Sequence, residues 1–564
     1  MVVYSILILF LLLLIFSISN SQSAAQPSAD EQTLLLAIKQ DWDNPAPLSS
    51  WSSTGNWTGV IYNNITGQVT GLSLPSFHIA RPNPPSVCRL KNLTYIDLSF
   101  NNLTGDFPTV LYGCSALEFL DLSNNQLSGK LPDRIDRLSL GMQHLNLSSN
   151  AFTGDVPLAI GRFSKLKSLV LDTNSFNGNY PGAAIGGLLE LETLTLAKNP
   201  FEPGPVPKEF GNLTKLKLLW LSCMNMTGTI PDDLSAHTAG LELDLSMNKF
   251  SGSIPEDIAN LKKLRLLYLY YNNLTGPIPA GVGMMPNLTD IRLFNNKLSG
   301  PLPAELGKHS ELGNFEVSNN NLSGELPDTL CFNKKLFDIV VFNNSFSGVF
   351  PTNLGDCKTI NNIMAYNNHF VGDFPKKIWS FELLTNVMIY NNFTGTLPSE
   401  ISFNILRIEM GNNRFSGALP SAAVGLKSFT AENNQFSGEL PTDMSRLANL
   451  TMLNLAGNQL LTTVKIYINN FASTLPSNKI VSITTNKILQ MLLNATTPVG
   501  RLAEGELEAG PAAALLLSLI NFFTGQRPKQ STGVTRSSVL VLLAVKFTHV
   551  HVLEQMALVS ADTN

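Results

Sequence analysis

Charge is scarce in this sequence: Asp, Glu, Lys and Arg make up 14% of its 564 residues, against roughly 25% in ordinary soluble proteins. Low charge beside 44% hydrophobic residues excludes a disordered chain, which needs the opposite balance. Basic residues are not in excess, 38 against 42 acidic ones, so the positive footprint of a nucleic-acid binder is missing. Five cysteines are too few for a disulfide-dense miniprotein and leave room only for isolated bridges. Catalytic signatures are lacking as well. There is no Gly-rich phosphate loop, no H-R-D and no D-F-G run. The histidines are scattered, and His549-Val550-His551 has no cysteine or carboxylate pattern around it. The reading is of a non-enzyme with no cofactor and no metal.

What the sequence does have is a repeat. A tetrad Gly-x-Φ-Pro, Φ being apolar or aromatic, begins at Gly105, Gly129, Gly154, Gly178, Gly204, Gly228, Gly252, Gly276, Gly300, Gly324, Gly348, Gly372, Gly395, Gly417 and Gly438. Most steps are 24 residues, with slips near Gly204 and after Gly372. Upstream of the tetrads runs L-x-x-L-x-L-x-x-N, clearest at Leu264, Leu267, Leu269 and Asn272. Self-similarity at such a period is the mark of a solenoid, because one unit cannot bury its own apolar face. The alternating leucines define a short strand with one face inward. The expected fold is an α/β solenoid, a right-handed superhelix with a concave parallel sheet and a convex side of 3-10 and irregular turns. The Asn after each strand turns inward, its amide able to donate and accept between coils. This ladder fails once, at Met224, where a weaker turn is expected. Gly and Pro in the tetrad are read as a tight bend. About sixteen coils, over 90–460, would make a sheet on the order of 75 Å long.

Residues 2–18 are almost wholly apolar and are followed by small and polar residues. Residues 1–25 read as a secretory signal, although the charged n-region is missing and an uncleaved membrane anchor is the alternative. Ser28 and Glu31 have capping-box spacing, and Leu34, Leu35, Ile38 and Trp42 recur at helical intervals. A helix is expected there, ended by Pro45 and Pro47, inside a cap over 26–89. Cys88 and Cys114, and Cys331 and Cys357, are each 26 apart and fall on neighbouring coils, within disulfide reach; four free thiols are the alternative. Cys223 is unmatched. Fourteen Asn-x-Ser/Thr sequons occur, among them Asn92, Asn102, Asn212, Asn273, Asn321 and Asn392, which makes glycosylation the expectation. Residues 461–564 carry no repeat, ladder or cysteine and read as an aberrant or poorly ordered end.

The tetrads, with CRLKNLTYIDLSFNNLTGDFP (88–108) and AENNQFSGELP (431–441), resemble the leucine-rich repeats of plant receptor-like kinases, closest to the HAESA-like class. Trp51, Trp57, Gly59 and Val60 are similar to the plant-type cap, but Gly55 and Tyr62 stand where its two cysteines are expected. The resemblance implies an extracellular ligand-recognition ectodomain without its kinase, secreted or at the outer face of the plasma membrane. Its implied partners are a secreted peptide or protein ligand and a co-receptor kinase, with membrane association only through the N-terminal segment or a parent receptor. The alternative is a soluble defence protein that inhibits a microbial wall-degrading enzyme.

Ligand contact on such a scaffold belongs to the solvent-facing strand positions. Those read as candidates are Trp220, Asp244, Tyr268, Tyr270, Arg292, Phe294, Glu316, Phe342, Tyr366, Tyr390, Arg407 and Glu409. Exposed aromatics with Arg are common interface anchors; lateral packing of these residues on one another, with nothing bound, is the alternative. Resemblance to the HAESA-like class further implies an Arg-x-Arg pair that holds a peptide's terminal carboxylate. The matching positions are Arg407 and Glu409, so one half of that pair is reversed in charge.

Overall fold

The computed structural model describes residues 26–460, apart from 53–54, 64, 82–83, 237–241, 440–446 and 448, together with a strand at Ile480–Ser482. The expected signal segment and nearly all of the C-terminal tail lie outside the described residues. Contacts divide the chain into two compact units, Met1–Thr275 with Met285–Leu288, and Gly276–Met284 with Thr289–Asn564.

In the first unit, helix Ala29–Asp41 buries Leu35 and Ile38, and Trp42 closes it. The capping box is half formed. Ser28 Oγ accepts from the Glu31 N–H, but Glu31 Oε2 turns away to accept from the Val69 N–H at 2.7 Å. The carboxylate thereby fastens the helix to the first hairpin, Val60–Tyr62 antiparallel to Val69–Ser73. Trp51 and Trp57 are buried beside it, with the Trp51 indole donating to Thr58 O at 2.8 Å.

From Val69–Ser73 onward the strands are parallel and in register: Tyr95–Asp97, Phe119–Asp121, His144–Asn146, Ser168–Val170, Thr193–Thr195, Leu218–Trp220, Glu242–Asp244 and Leu266–Tyr268. The second unit repeats the arrangement with Asp290–Arg292, Asn314–Glu316, Asp338–Val340, Asn362–Met364, Asn386–Met388, Arg407–Glu409, Ser428–Thr430 and Met452–Asn454. Each unit is a leucine-rich-repeat solenoid. The middle residue of each strand points into the core; Leu120, Leu219, Ile339 and Ile408 are fully buried. Opposite the sheet lie 3-10 turns such as Leu158–Arg162 and Thr352–Asp356, entered through Pro157 and Pro351, whose fixed φ and missing N–H suit that position.

The asparagine ladder is the polar half of the core. Asn320 is typical: its Nδ2 donates to Leu293 O of the preceding coil, and its Oδ1 accepts from Leu298 N. Asn101, Asn174 and Asn272 do the same work in the first unit. At Met224, where the ladder is interrupted, Asn248 Oδ1 accepts from both Met224 N and Met226 N. Cys223 and Asn225 on either side take positive φ, so the turn is rebuilt locally rather than lost.

The tetrads do more than bend the chain. Several lie on a second set of short parallel strands, as where Asn321–Gly324 pairs with Ser345–Val349 and that strand pairs with His369–Asp373. Gly324 and Gly348 hold φ of +80° and +76° there, a conformation costly to other residues. Gly178 and Gly204, which bracket the slip in spacing, are outside these strands and keep ordinary φ. A last difference concerns the tail, where Ile480–Ser482 pairs in parallel with Met452–Asn454. An unpaired sheet edge offers free backbone groups to any β-branched segment within reach.

Two disulfides tie adjacent coils. Cys88–Cys114 spans 4.6 Å between Cα atoms and Cys331–Cys357 spans 6.2 Å. Cys223 is a free, exposed thiol.

Candidate functional site

In every three-residue strand the first and third residues flank the buried one and form the open face of the sheet. Register aligns these positions into rows crossing the strands. In the second unit the first row reads Asp290, Asn314, Asp338, Asn362, Asn386, Arg407, and the next reads Arg292, Glu316, Val340, Met364, Met388, Glu409. A third row, two residues further along, carries Phe294, Phe342, Tyr366 and Tyr390.

The sequence-selected residues split between the units: Trp220, Asp244, Tyr268 and Tyr270 in the first, the others in the second. Their exposure is lower than expected. Tyr268 is 2% exposed and so is a core residue rather than a contact residue. Asp244 is buried, accepting from the Ser246 N–H and hydroxyl. Trp220 is half-buried under the Lys198 ammonium, 5.4 Å from its ring centroid. The bulky side chains find one another first, because a row spacing of about 4.8 Å matches aromatic stacking.

Phe342 and Tyr366 stack with centroids 4.4 Å apart and planes within 7°, and Tyr366 meets Tyr390 edge-on at 6.2 Å. The Tyr390 hydroxyl donates to Glu409 Oε2 at 3.0 Å. Burial, together with the nearby Glu409 and Glu432 carboxylates, raises the Tyr390 phenol well above its ordinary range. These rings remain half-buried, with an edge to solvent.

Arg407 and Glu409 oppose each other across their shared strand. The guanidinium forms an ion pair with Glu409 Oε1 through both Nε and a terminal nitrogen. Arg407 is therefore already occupied, and the Arg-x-Arg carboxylate clamp is replaced here by an internal salt bridge. Arg292 is likewise engaged, bidentate on Asp290 at 3.1 Å and 3.9 Å from Glu316.

Two features were missed in the sequence reading. In the first unit Tyr95, Phe119 and His144 stack successively at 4.2 Å, and burial pulls the His144 imidazole down to about 4. In the second, Asp290 and Asp338 flank Asn314 in one row of the open face. Asp338 is pushed up to about 6, chiefly by burial, then by Glu316, with Arg292 opposing and Asp290 adding. The signal was present: these are the residues just before the central apolar residue of T-Y-I-D, E-F-L-D, Q-H-L-N, T-D-I-R, G-N-F-E and F-D-I-V. The six named sequon asparagines are all exposed. Asn102, Asn273, Asn321 and Asn392 each follow a buried ladder asparagine, so alternation turns them outward. Among the described residues no group of His, Cys, Asp and Glu is placed to hold a metal ion, and no helix is long and apolar enough to cross a membrane.

Family models for the leucine rich repeat match residues 83–139, 141–163, 241–261 and 263–285. The receptor-like protein kinase HSL1 of Arabidopsis thaliana is 34% identical over 90 residues, which is 15% of this chain and 9% of that relative. Such matches to curated relatives thus span about a tenth of their length. Likeness to solved structures is far longer. The Arabidopsis receptor kinase HAESA, solved with the peptide hormone IDA and the co-receptor SERK1, is 32% identical at a TM-score of 0.62, covering 77% of this chain and 82% of that one. The plant peptide hormone receptor RGFR1, solved with RGF2, is 28% identical at a TM-score of 0.64, covering 69% and 63% respectively. With its repeats, its asparagine ladder and this extent of likeness, the chain belongs to the leucine-rich-repeat family of plant receptor-kinase ectodomains.

Proposed function

We propose that the open sheet face of the second unit recognises a secreted peptide outside the cell, and that a co-receptor kinase joins the complex. The observation that carries this reading is the 32% identity to 82% of a receptor ectodomain solved with both a peptide hormone and a co-receptor. The face supports it physically: an extended peptide crossing successive strands would meet Arg292, Phe294, Glu316, Phe342, Tyr366 and Tyr390 in turn. Aromatic rings already fixed by stacking lose little entropy on binding. The first unit has Trp220 and Tyr270 as candidate contacts on its own face, with Tyr268 buried beside Tyr270. Exposed sequons, Asn92, Asn102, Asn212, Asn273, Asn321 and Asn392 among them, would carry glycans in this extracellular setting. Any membrane tether would come from the N-terminal segment or a parent receptor.

Titration of the purified chain with synthetic secreted peptides, IDA and RGF2 included, by isothermal calorimetry tests the reading. At least one peptide should bind saturably, and Phe342→Ala or Tyr366→Ala should weaken it about tenfold, as expected for an aromatic anchor. No saturable binding, or binding indifferent to both changes, removes the second-unit face as the site. Arg407→Ala should matter little, because its guanidinium is spent on Glu409. Glu409→Arg should instead create a preference for a free over an amidated peptide C-terminus.

A further inference from the structure

Several lateral cations of the first unit are neutralised from coil to coil. Lys215 pairs with Glu190 at 2.6 Å, Lys217 with Glu192 at 2.5 Å and Arg162 with Asp136 at 2.6 Å. The second unit departs from this pattern where its convex turns lead back into the sheet. There three successive coils carry Lys334 and Lys335, then Lys358, then Lys376 and Lys377, all exposed. Acids are fewer on the same segments: Asp328, Asp356 and Glu382. Lys377 alone of the five is paired, with Asp356 at 2.8 Å; among the described residues the other four have no carboxylate at ion-pair distance. The Asp356 carboxyl is held below its ordinary range chiefly by Lys377, and Lys334 and Lys358 act on it as well. One carboxylate thus faces three ammonium groups from three coils. Lys334 and Lys358 stand at the same position one coil apart, where like charges repel. The surplus is positive, and an anion from outside would offset it.

Two further observations bear on what that anion is. Phe332 and Phe337, on the same segment as Lys334 and Lys335, are large exposed rings. Gly313 of the preceding coil makes room for one of them, since a Cβ there would stand 2.7 Å from Phe337 Cε1. The negative face of such a ring attracts the C–H groups of a sugar. None of the segments 328–337, 352–361 and 376–385 holds an Asn-x-Ser/Thr sequon, whereas Asn321 and Asn392 follow the ladder on the other side of the strands. Spacing then separates two kinds of polyanion. Coils repeat about every 4.8 Å, while side chains on one face of an extended peptide repeat about every 6.8 Å. In a polyuronate every ring carries its own carboxylate, and one ring spans nearly one coil.

We infer that this flank of the second unit binds an acidic polysaccharide, a chain of uronic acids, with Lys334, Lys335 and Lys358 on its carboxylates and Phe332 and Phe337 against its rings. The site is separate from the open sheet face, and its occupation does not depend on peptide recognition. Its cations are exposed, so binding is screened by salt.

The test uses three fluorescein-labelled probes: a galacturonate oligomer, its fully methyl-esterified counterpart, and an oligoglutamate of equal charge. Each is titrated by fluorescence polarisation into the full chain, into a variant carrying Lys334→Gln with Lys358→Gln, and into Lys215→Gln, whose ammonium is already spent on Glu190. The substituted lysines are exposed, so all three proteins should fold, with melting temperatures that agree. The galacturonate oligomer should bind at least tenfold tighter than the ester. It should weaken about tenfold in the double variant and remain unchanged in Lys215→Gln. Absence of binding, equal binding of acid and ester, or a preference untouched by the double substitution overturns the site. Oligoglutamate bound as tightly as galacturonate overturns it too, and assigns the patch to an acidic protein segment instead.

Discussion

Met247 precedes a ladder asparagine and holds φ at +55° with its side chain 48% exposed. Most coils share this conformation at the same position, and in the second unit it is filled by Asn295, Asn319, Asn343, Asn367, Asn412 and Asn433. Asparagine tolerates the left-handed region because its short amide can bond locally, whereas unbranched and aromatic residues are strained there. Phe100 and Tyr271 bear the same strain at +54° and +53°. Met247→Asn should accordingly stabilise the protein by about 1 kcal/mol, the usual cost of holding an ordinary residue left-handed. Urea denaturation checks this, and an unchanged midpoint would show that the coil relaxes its backbone around methionine at no cost. The frequent Asn-Asn pairs in the sequence thus have two separate causes, the first a backbone conformation and the second a buried hydrogen-bond junction.

At the scale of one coil, the junction dominates. Asn320 donates to Leu293 O, Val317 O and Ser318 O and accepts from Leu298 N. Asn320→Ala leaves Leu298 N without its acceptor, whereas Leu293 O, Val317 O and Ser318 O keep Asn296, Asn344 and Asn295 as donors. It should cost about 2 kcal/mol, since an unsatisfied buried group carries roughly 1–3 kcal/mol. A loss below about 1 kcal/mol in thermal unfolding would mean that water enters the coil to replace the amide. Leucine spacing and the ladder made this level of the fold readable directly from the sequence, because both are obligations of a coil that must bury its polar turn. The open face was readable only in part. Alternation located Phe342, Tyr366 and Tyr390 correctly on that face, but it could not reveal that neighbours 24 residues apart stack and half-bury one another. Tyr268, read as exposed, is buried, with the Tyr270 ring of its own coil 6.2 Å away. Nor could alternation distinguish a binding arginine from Arg407, whose partner sits two residues away. The Asp290, Asn314 and Asp338 row went unread because attention fell on the bulky and basic members of each strand.

At the scale of the whole molecule, the open faces of the two units, each taken by itself, set an unusual response to pH. Burial raises the carboxyls of Asp97, Asp121, Asp172 and Glu242 in the first unit and of Asp338 and Glu432 in the second. A carboxyl raised on folding binds its proton more tightly in the native state than in the unfolded chain. Stability then falls as pH rises from the unfolded value toward the folded one, here from near 4 to about 6 at Asp338. His144 acts in the opposite sense: it is held neutral by burial and drawn to about 4 from an ordinary 6.5, so its contribution is lost as pH falls through that interval. Surface pairs such as Asp136 with Arg134 and Arg162, whose carboxyl is lowered, weaken only at more acidic pH. Asp338 and His144 carry shifts of similar size and opposite sense over this interval. The other raised carboxyls tip the balance, and the melting temperature should be slightly higher at pH 4.5 than at pH 6.5. Asp338→Asn removes one titrating group and should flatten that slope, whereas His144→Asn removes the opposing one and should steepen it. Circular dichroism melts of the three proteins at the two pH values measure both changes, and a slope left unaltered by Asp338→Asn would show that this carboxyl keeps its ordinary value on the folded face.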